Sequence, residues 1–528
     1  MKTEIYKITN EKDEAIGRVG ELLRSGALAA IPTETVYGLA ANALDPQAVS
    51  RIFEAKGRPQ DNPLIVHISS FDEIYPLVKD VPDEAKALAD KFWPGPLTII
   101  LKKSGLVPSV VSAGLDTVAV RMPSHPIARA IIRAAGVPLA APSANSSGLP
   151  SPTRASHVID DMDGKIEAIV DSGACGVGVE STVVSLAVNP PRLLRPGGIT
   201  HAQLESVLGR VDIDDAVTNE LEKGAVAASP GMKYKHYSPK AQVYIVKGSF
   251  RSFRFFTDYT CKESDIALCF DGEEKLLNVL AFGYGGKDKP KEQAYNLFDL
   301  LRKADKLKAQ RVFVRCPDSD GVGLAVYNRL IRAAAFKIIE LPEIYGLAGR
   351  TGSGKSTVAQ ELLKHGFGVI DCDKVARRIT EKGSPVLGKL AEVFGDDIIL
   401  SDGTLDRKKL ASRAFADSES TEKLNALTHP AITDFVMNYI LQHLNEHKVF
   451  VIDAAVIQKS KMIDYCSKLI VVTADDEICI ERIMKRDSIS REKALERINV
   501  QPSEQDYEAQ ADIIIKNNGG ELDLTGIL

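Results

Sequence analysis

Residues 346–360 read GLAGRTGSGKSTVAQ, and within them Gly349, Gly354, Lys355 and Ser356 satisfy G-x-x-x-x-G-K-[ST]. EIYGLA, from Glu343, reads as a strand leading into this loop, and STVAQELLKHG as the helix leaving it. In that setting the glycines let backbone N–H groups wrap phosphates at a helix N-terminus, Lys355 reaches the β and γ oxygens, and the Ser356 hydroxyl can hold Mg²⁺. Residues Gly352, Ser353, Gly354, Lys355, Ser356 and Thr357 are therefore expected to bind ATP. Such a loop usually follows the first strand of its domain, so 343–528 reads as a complete P-loop domain with a parallel sheet, set behind a long N-terminal preface.

At 528 residues the chain should hold about three domains, each burying its own core. An apolar fraction of 44%, a charged fraction of 26% and a net charge of -5 are those of a soluble globular protein and give no electrostatic footprint for stable nucleic-acid binding. The N-terminus lacks a basic stretch followed by an apolar one, and no segment reaches the ~18 apolar residues of a membrane span, so a cytoplasmic protein is expected. The seven cysteines include no C-x-x-C pair, which suggests neither a disulfide framework nor a zinc site. Cys372, between two aspartates, reads as a small buried residue at a strand end.

Helical and strand patterns alternate almost throughout, the mark of α/β domains. A first block spans 1–208. Within it, DPQAVSRIFEAKGRP has Asp45 as N-cap and Pro46 at the first helical position, so Lys56 and Arg58 fall at the end of that helix. NPLIVHIS, LTIILKK, TVAVRMP and GVPLAAPSAN each read as a strand running into a polar loop, where open α/β sheets place ligands. Residues 209–240 break the pattern. This linker packs Met232, Tyr234, His236 and Tyr237 between prolines, a composition that suits a segment lying on a surface. A smaller α/β block follows at 241–338.

In the last block, GFGVIDCDKVARRIT delivers Asp371 and Asp373 near the phosphate loop. An acceptor hydroxyl needs a carboxylate to take its proton, and Asp373 is the candidate, although an aspartate at a strand end is also a common helix cap. Arg482, Arg486, Arg491 and Arg497 lie along a charge-rich helical stretch that could close over ATP. With GTLDRKKLASRAF, LTHPAI, KVFVIDAA and ADIIIKNNGG, the set resembles dephospho-CoA kinase across 343–528. The resemblance implies transfer of the ATP γ-phosphoryl group to the 3′-hydroxyl of dephospho-CoA. It implies Asp373 as acceptor-side base, Arg377, Arg407 and His429 as dephospho-CoA contacts, Arg482 and Arg486 in the lid, Asn517 near the adenine, and Asp453 as a possible metal ligand. Two departures stand out. The family's GGIGSGKS is here GRTGSGKS, with Arg350 for a Gly, and its D-x-P-L-L-x-E is DAAVIQK from Asp453, without the Pro or the Glu.

In the first block, Lys56 and Arg58 with Asn62 put two positive charges at a helix end, SANSSG (143–148) supplies a hydroxyl and an amide, and GVGVESTVV a loop before a strand. Together they offer cations for phosphates and polar groups for a small molecule. PTETVYGLA, KGRPQDNPLIVHI, WPGPLTIIL, APSANSSGLPSPT, GVESTVV and LLRPGGIT resemble the YrdC-like L-threonylcarbamoyladenylate synthase family, an α/β fold with a twisted mixed sheet. SPGMKYKHYSP and GVGLAVYNRLIRAA resemble its longer members, which add a small Rossmann-like domain joined by a linker reaching across the active site. The family implies that L-threonine, bicarbonate and ATP give threonylcarbamoyl-AMP and diphosphate, with tRNA met only through downstream proteins. By position, Arg58, Asn62, Thr117, Ser143, Asn145, Ser151, Arg195 and Tyr237 would contact ATP, with Lys56 and Arg58 acting at the phosphates. Thr35, His67, Arg121 and Ser181 would hold threonine.

The expectation is thus a fusion of two enzymes with separate ATP sites, each using Mg²⁺. Three alternatives stay open at this point: an N-terminal RNA-binding module, a kinase acting on another nucleotide or small alcohol, and one half degenerate and serving as a scaffold.

Overall fold

Asp45 caps the Pro46–Lys56 helix through Gln47 and Ala48 N–H groups, and Gly57 closes it in the left-handed conformation at φ 61°. That helix therefore ends where the sequence places it, with Arg58 leaving on the loop toward the strand Ile65–His67. The computed structural model describes residues 1–220 and 237–528. Met232, Tyr234 and His236 of the linker lie outside the described residues, while Tyr237 lies within them.

The described residues form two compact units, Met1–Ile245 with Lys262–Ile339, and Val246–Cys261 with Glu340–Leu528. The first unit carries an eleven-stranded mixed sheet. Its strands run in the order Glu4–Lys7, Ala168–Asp171, Ala29–Ile31, Gly38–Asn42, Leu139–Ala140, Ile65–His67, Thr117–Arg121, Leu97–Lys102, Thr182–Ser185, Arg192–Arg195 and Asp212–Ile213. Ile65–His67 and Thr117–Arg121 pair in parallel with His67 opposite Arg121, so both side chains emerge at one sheet end. A five-stranded sheet follows, ordered Ala281–Gly283, Asp265–Cys269, Arg311–Arg315, Gln242–Lys247, Ile338–Glu340, with Asp265–Cys269 parallel to both neighbours.

The second unit is built on a parallel sheet ordered Gly368–Asp371, Val449–Asp453, Glu343–Ala348, Lys468–Thr473, Ile513–Lys516. Alternate side chains go to opposite faces, as a pleated strand requires. Ile344, Phe450, Ile452 and Val471 enter one core, and Tyr345, Leu347, Val451 and Val472 another. LTHPAI falls inside one long helix, Ser418–Gln442, with Pro430 in its interior.

The division departs from the sequence boundaries in one element. Helix Phe250–Thr260, expected within the 241–338 block, belongs to the same unit as 340–528. Its Phe255 is fully buried in a core shared with Ile344, Phe450 and Tyr465. Apolar burial against a sheet far away in sequence decides where a helix sits, and no local pattern records it.

Candidate active sites

In the first unit the ends of several strands and loops converge on a cavity lined among others by Thr35, Arg58, His67, Arg121, Ser143, Glu180, Arg195 and Tyr237. Three arginines facing one polar space make it a receptor for anions. Arg58 is buried and its Nε has no hydrogen-bond partner among the described residues, as is also true of Asn62 Oδ1. Burial lowers the Arg58 pKa to about 10, which leaves it charged at neutral pH. His67 is buried, with Nδ1 3.2 Å from Ile65 O. Desolvation and the Arg121 charge bring its pKa down to about 3, so it is a neutral imidazole.

Residues outside the lining are tied to it by hydrogen bonds. Ser181 Oγ lies 2.7 Å from Thr98 Oγ1 and accepts from Arg195 Nη2 at 3.1 Å, while Ser151 Oγ donates to Glu180. Ser143 Oγ donates to Asn145 Oδ1 at 2.5 Å. Lys56, expected at the phosphates, does not line the cavity. Its Nζ donates to Ser143 O and, at 2.5 Å, to Asn145 O, so it braces the SAN loop from behind, with its pKa pushed well down by burial. Thr117 is also outside: it opens the strand that Arg121 closes and pairs with Lys102 of the neighbouring strand, at the far end from Arg121.

Two acidic residues in this site, Glu34 of PTETVYGLA and Glu180 of GVESTVV, lie in motifs the sequence showed but were given no role there. Arg121 Nη2 donates to Glu34 at 2.7 Å, and Arg329, fully buried on the Gly323–Ala333 helix, donates from Nε to Glu180 at 2.8 Å. Burial alone would raise the Glu34 pKa, but the Arg121 charge holds it below the ordinary carboxylate value. The Arg329 guanidinium also sits 5.7 Å from the Tyr237 ring. Tyr237, at φ 63°, thereby brings the end of the linker to the cavity wall.

In the second unit Gly349, Gly352 and Gly354 all have positive φ. A Cβ on Gly352 would meet Cys479 O at 2.6 Å, and one on Gly354 would meet Asn517 Nδ2 at 2.0 Å, so the loop has room only for glycine there. Lys355 forms an ion pair with Asp453. Register places Asp371 opposite Asp453 at adjacent strand ends. Burial, and then Asp371 and Asp373 among its neighbours, raise the Asp453 pKa despite Lys355. The helix cap is Asp371, which accepts from Asp373 and Lys374 N–H groups. Asp373 is consequently an exposed carboxylate in the first turn of Cys372–Arg378, clear of capping duty.

Arg407 Nη2 donates to Thr380 Oγ1 and to Arg377 O at 3.2 and 3.3 Å, which draws Arg377 and Arg407 to one side. His429 is half-buried on the Ser418–Gln442 helix. Of the expected lid arginines, Arg482 reaches the phosphate loop, donating to Gly352 O and Ser353 O, both at 3.2 Å, and to Asn517 at 3.3 Å. Arg486 and Arg497 instead both pair with Asp487, and Arg491 with Glu477. Arg350, the departure from the family loop, pairs with Asp476 at 2.9 Å. Among the described residues no three carboxylate, histidine or cysteine side chains converge on a metal position. Ser356 and Asp453, one hydroxyl and one carboxylate, match the donor set of a Mg²⁺ held mainly by nucleotide phosphates.

Comparison with known proteins covers both units. Residues 21–197 match a family model described as "Telomere recombination", 199–335 the C-terminal domain of threonylcarbamoyl-AMP synthase, and 343–523 dephospho-CoA kinase. The threonylcarbamoyl-AMP synthase of Pyrococcus abyssi is 49% identical over 327 residues, which cover 60% of this chain and 94% of that one. The dephospho-CoA kinase of Fusobacterium nucleatum is 39% identical over 181 residues, 34% of this chain and 92% of that one. A solved P. abyssi Sua5 complexed with L-threonine superposes with a TM-score of 0.60 at 44% identity, covering 64% of this chain and all of that one. The chain belongs to the threonylcarbamoyl-AMP synthase family through its first two matched regions and to the dephospho-CoA kinase family through its last, and it is a bifunctional enzyme joining the two.

Proposed function

We propose that the cavity of the first unit condenses L-threonine, bicarbonate and ATP to threonylcarbamoyl-AMP, diphosphate and water, the water leaving when the amine and bicarbonate form a carbamate. The observation that carries this reading is the gathering of Arg58, Arg121 and Arg195 around one polar cavity, beside which Arg58 Nε and Asn62 Oδ1 are buried with no hydrogen-bond partner among the described residues. Arg121 takes the threonine carboxylate, now mimicked by Glu34, while Thr35, neutral His67 and Ser181 orient the rest of the amino acid. The carbamate formed on the threonine amine attacks the α-phosphorus: a new O–P bond forms as the bond to diphosphate breaks. No protein nucleophile is needed. Arg58 and Arg195 neutralise the charge gathering on the departing diphosphate, and Asn62, Ser143, Asn145, Ser151 and Tyr237 fix the nucleotide.

In the second unit, Asp373 accepts the proton of the dephospho-CoA 3′-hydroxyl as the γ-phosphoryl group moves to that oxygen and ADP leaves. Lys355 neutralises the β and γ oxygens, Arg482 closes on the loop, and Arg377, Arg407 and His429 hold the acceptor. Mg²⁺, held by Ser356 and Asp453, would offset phosphate charge in this site. A second reading, a different alcohol as acceptor, is favoured by one feature, the loss of the family's Pro and Glu in DAAVIQK. No helix among the described residues is long and apolar enough to cross a membrane, and the seven cysteines, none of them in a disulfide, suit a reducing cytoplasm. Transfer RNA is met only through proteins that consume threonylcarbamoyl-AMP.

Mass spectrometry of the purified chain tests both halves. With ATP, Mg²⁺ and dephospho-CoA it should yield coenzyme A, and with ATP, Mg²⁺, threonine and bicarbonate it should yield threonylcarbamoyl-AMP. Preference for any other acceptor would reassign the kinase. Tight, salt-sensitive tRNA binding without threonine consumption would reassign the first unit.

A further inference from the structure

We propose that helix Phe250–Thr260, which lies outside the residues 343–523 matched by the kinase family model, is a positioning element of the kinase acceptor side. The inference rests on the dephospho-CoA kinase reading of the second unit. The helix contributes Phe255 to the core that also holds Cys372 and Val375 from the helix of Asp373 and Arg377, and Met437 from the helix of His429. The opposite face of the sheet packs Val358 and Leu362 from the phosphate-loop helix, and none of its core residues comes from 250–260. The helix thus bears on the acceptor side and not on the ATP side.

Its polar residues grip one turn. Arg251 Nη1 donates to Ile463 O at 2.9 Å and Asp464 O at 3.3 Å, and Tyr465 OH donates to Asp258 Oδ2 at 3.1 Å. Arg254 lies 3.5 Å from Asp464 Oδ2 and places its guanidinium 5.8 Å from the Tyr465 ring. That turn, Lys461–Tyr465, follows DAAVIQK after a single residue, Ser460. A proline limits the backbone conformations of its segment, and its loss leaves the chain after Asp453 with more states to occupy. The Phe250–Thr260 helix supplies from outside the restraint that the segment itself has lost.

The test uses the full-length chain with Arg251→Ala, Arg251→Lys and Tyr465→Phe. Arg251 is exposed, so its alanine variant keeps the core intact. Losing its carbonyl bonds should raise the KM for dephospho-CoA about five- to tenfold while the KM for ATP and the threonine-dependent activity stay near wild type. Arg251→Lys, which keeps a donor in reach, should recover most of the loss. In the same variants, hydrogen exchange at the amides of 454–465 should accelerate, a readout that needs no acceptor. Unchanged exchange there, or parallel rises in both KM values, would overturn the proposal. A wild-type chain that makes no coenzyme A would count against the acceptor assignment, and the exchange result alone would then decide the role of the helix.

Discussion

His67 is neutral in the folded chain because burial and the facing Arg121 charge disfavour its protonated form, with a pKa of about 3. In the unfolded chain it titrates near its ordinary ~6.5. Between these values the unfolded state binds the extra proton, so stability rises with pH there and falls as the solution is acidified, by up to about 1.4 kcal/mol per pH unit. His67→Gln should flatten that part of the stability curve in urea titrations at pH 4 to 6.5; an unchanged slope would mean that His67 is charged in its pocket. Cys372 makes the opposite case. Burial first, then Asp453 and Asp373, push its thiol up to about 12, so it has almost no thiolate at pH 8. Iodoacetamide should leave Cys372 unmodified in the native chain, and rapid labelling there would refute the buried reading. Both residues were legible in outline, as a strand-end histidine and a small buried cysteine. Their charge states were not, since these depend on Arg121 and Asp453, each more than fifty residues away in the chain.

At the scale of elements, what the sequence discloses is what adjacent residues decide. The Pro46–Lys56 helix was readable at both ends because its cap, its proline and its glycine lie within it or next to it. The phosphate loop was readable because its glycines answer to local φ angles. Gly354, at φ 88° with Asn517 Nδ2 2.0 Å from a built Cβ, should lose ATP binding on change to alanine, by at least tenfold in KM, with little effect on synthase turnover. An alanine variant with normal KM would show that Asn517 and the loop yield easily. Pairings across distance were hidden. Nothing near Glu180 announces Arg329, and nothing in FRSFRFFTDYT says which sheet its apolar face will meet. Lys56 shows the same limit, since a lysine at a helix end looks solvent-bound until two carbonyls from residues 143 and 145 arrive to bury it.

Over the whole molecule, each reaction centre is assembled from residues of a single unit. The first lines its cavity with Arg58, Arg121 and Arg195, and the second has its own loop lysine, Lys355, paired with Asp453, so the proposed threonine activation draws its cations from outside the P-loop that starts at Gly349. Neither product is a substrate of the other centre, which leaves no chemical reason for one to need the other's turnover. Lys355→Ala should therefore abolish coenzyme A formation and leave threonylcarbamoyl-AMP formation within about twofold, since it removes charge from one triphosphate only. Arg58→Ala should do the reverse, and because Arg58 Nε has no hydrogen-bond partner among the described residues, its loss costs the nucleotide a contact more than it costs the fold. Measuring both activities on both variants closes the square. Loss of both from either change would mean that the two centres are coupled.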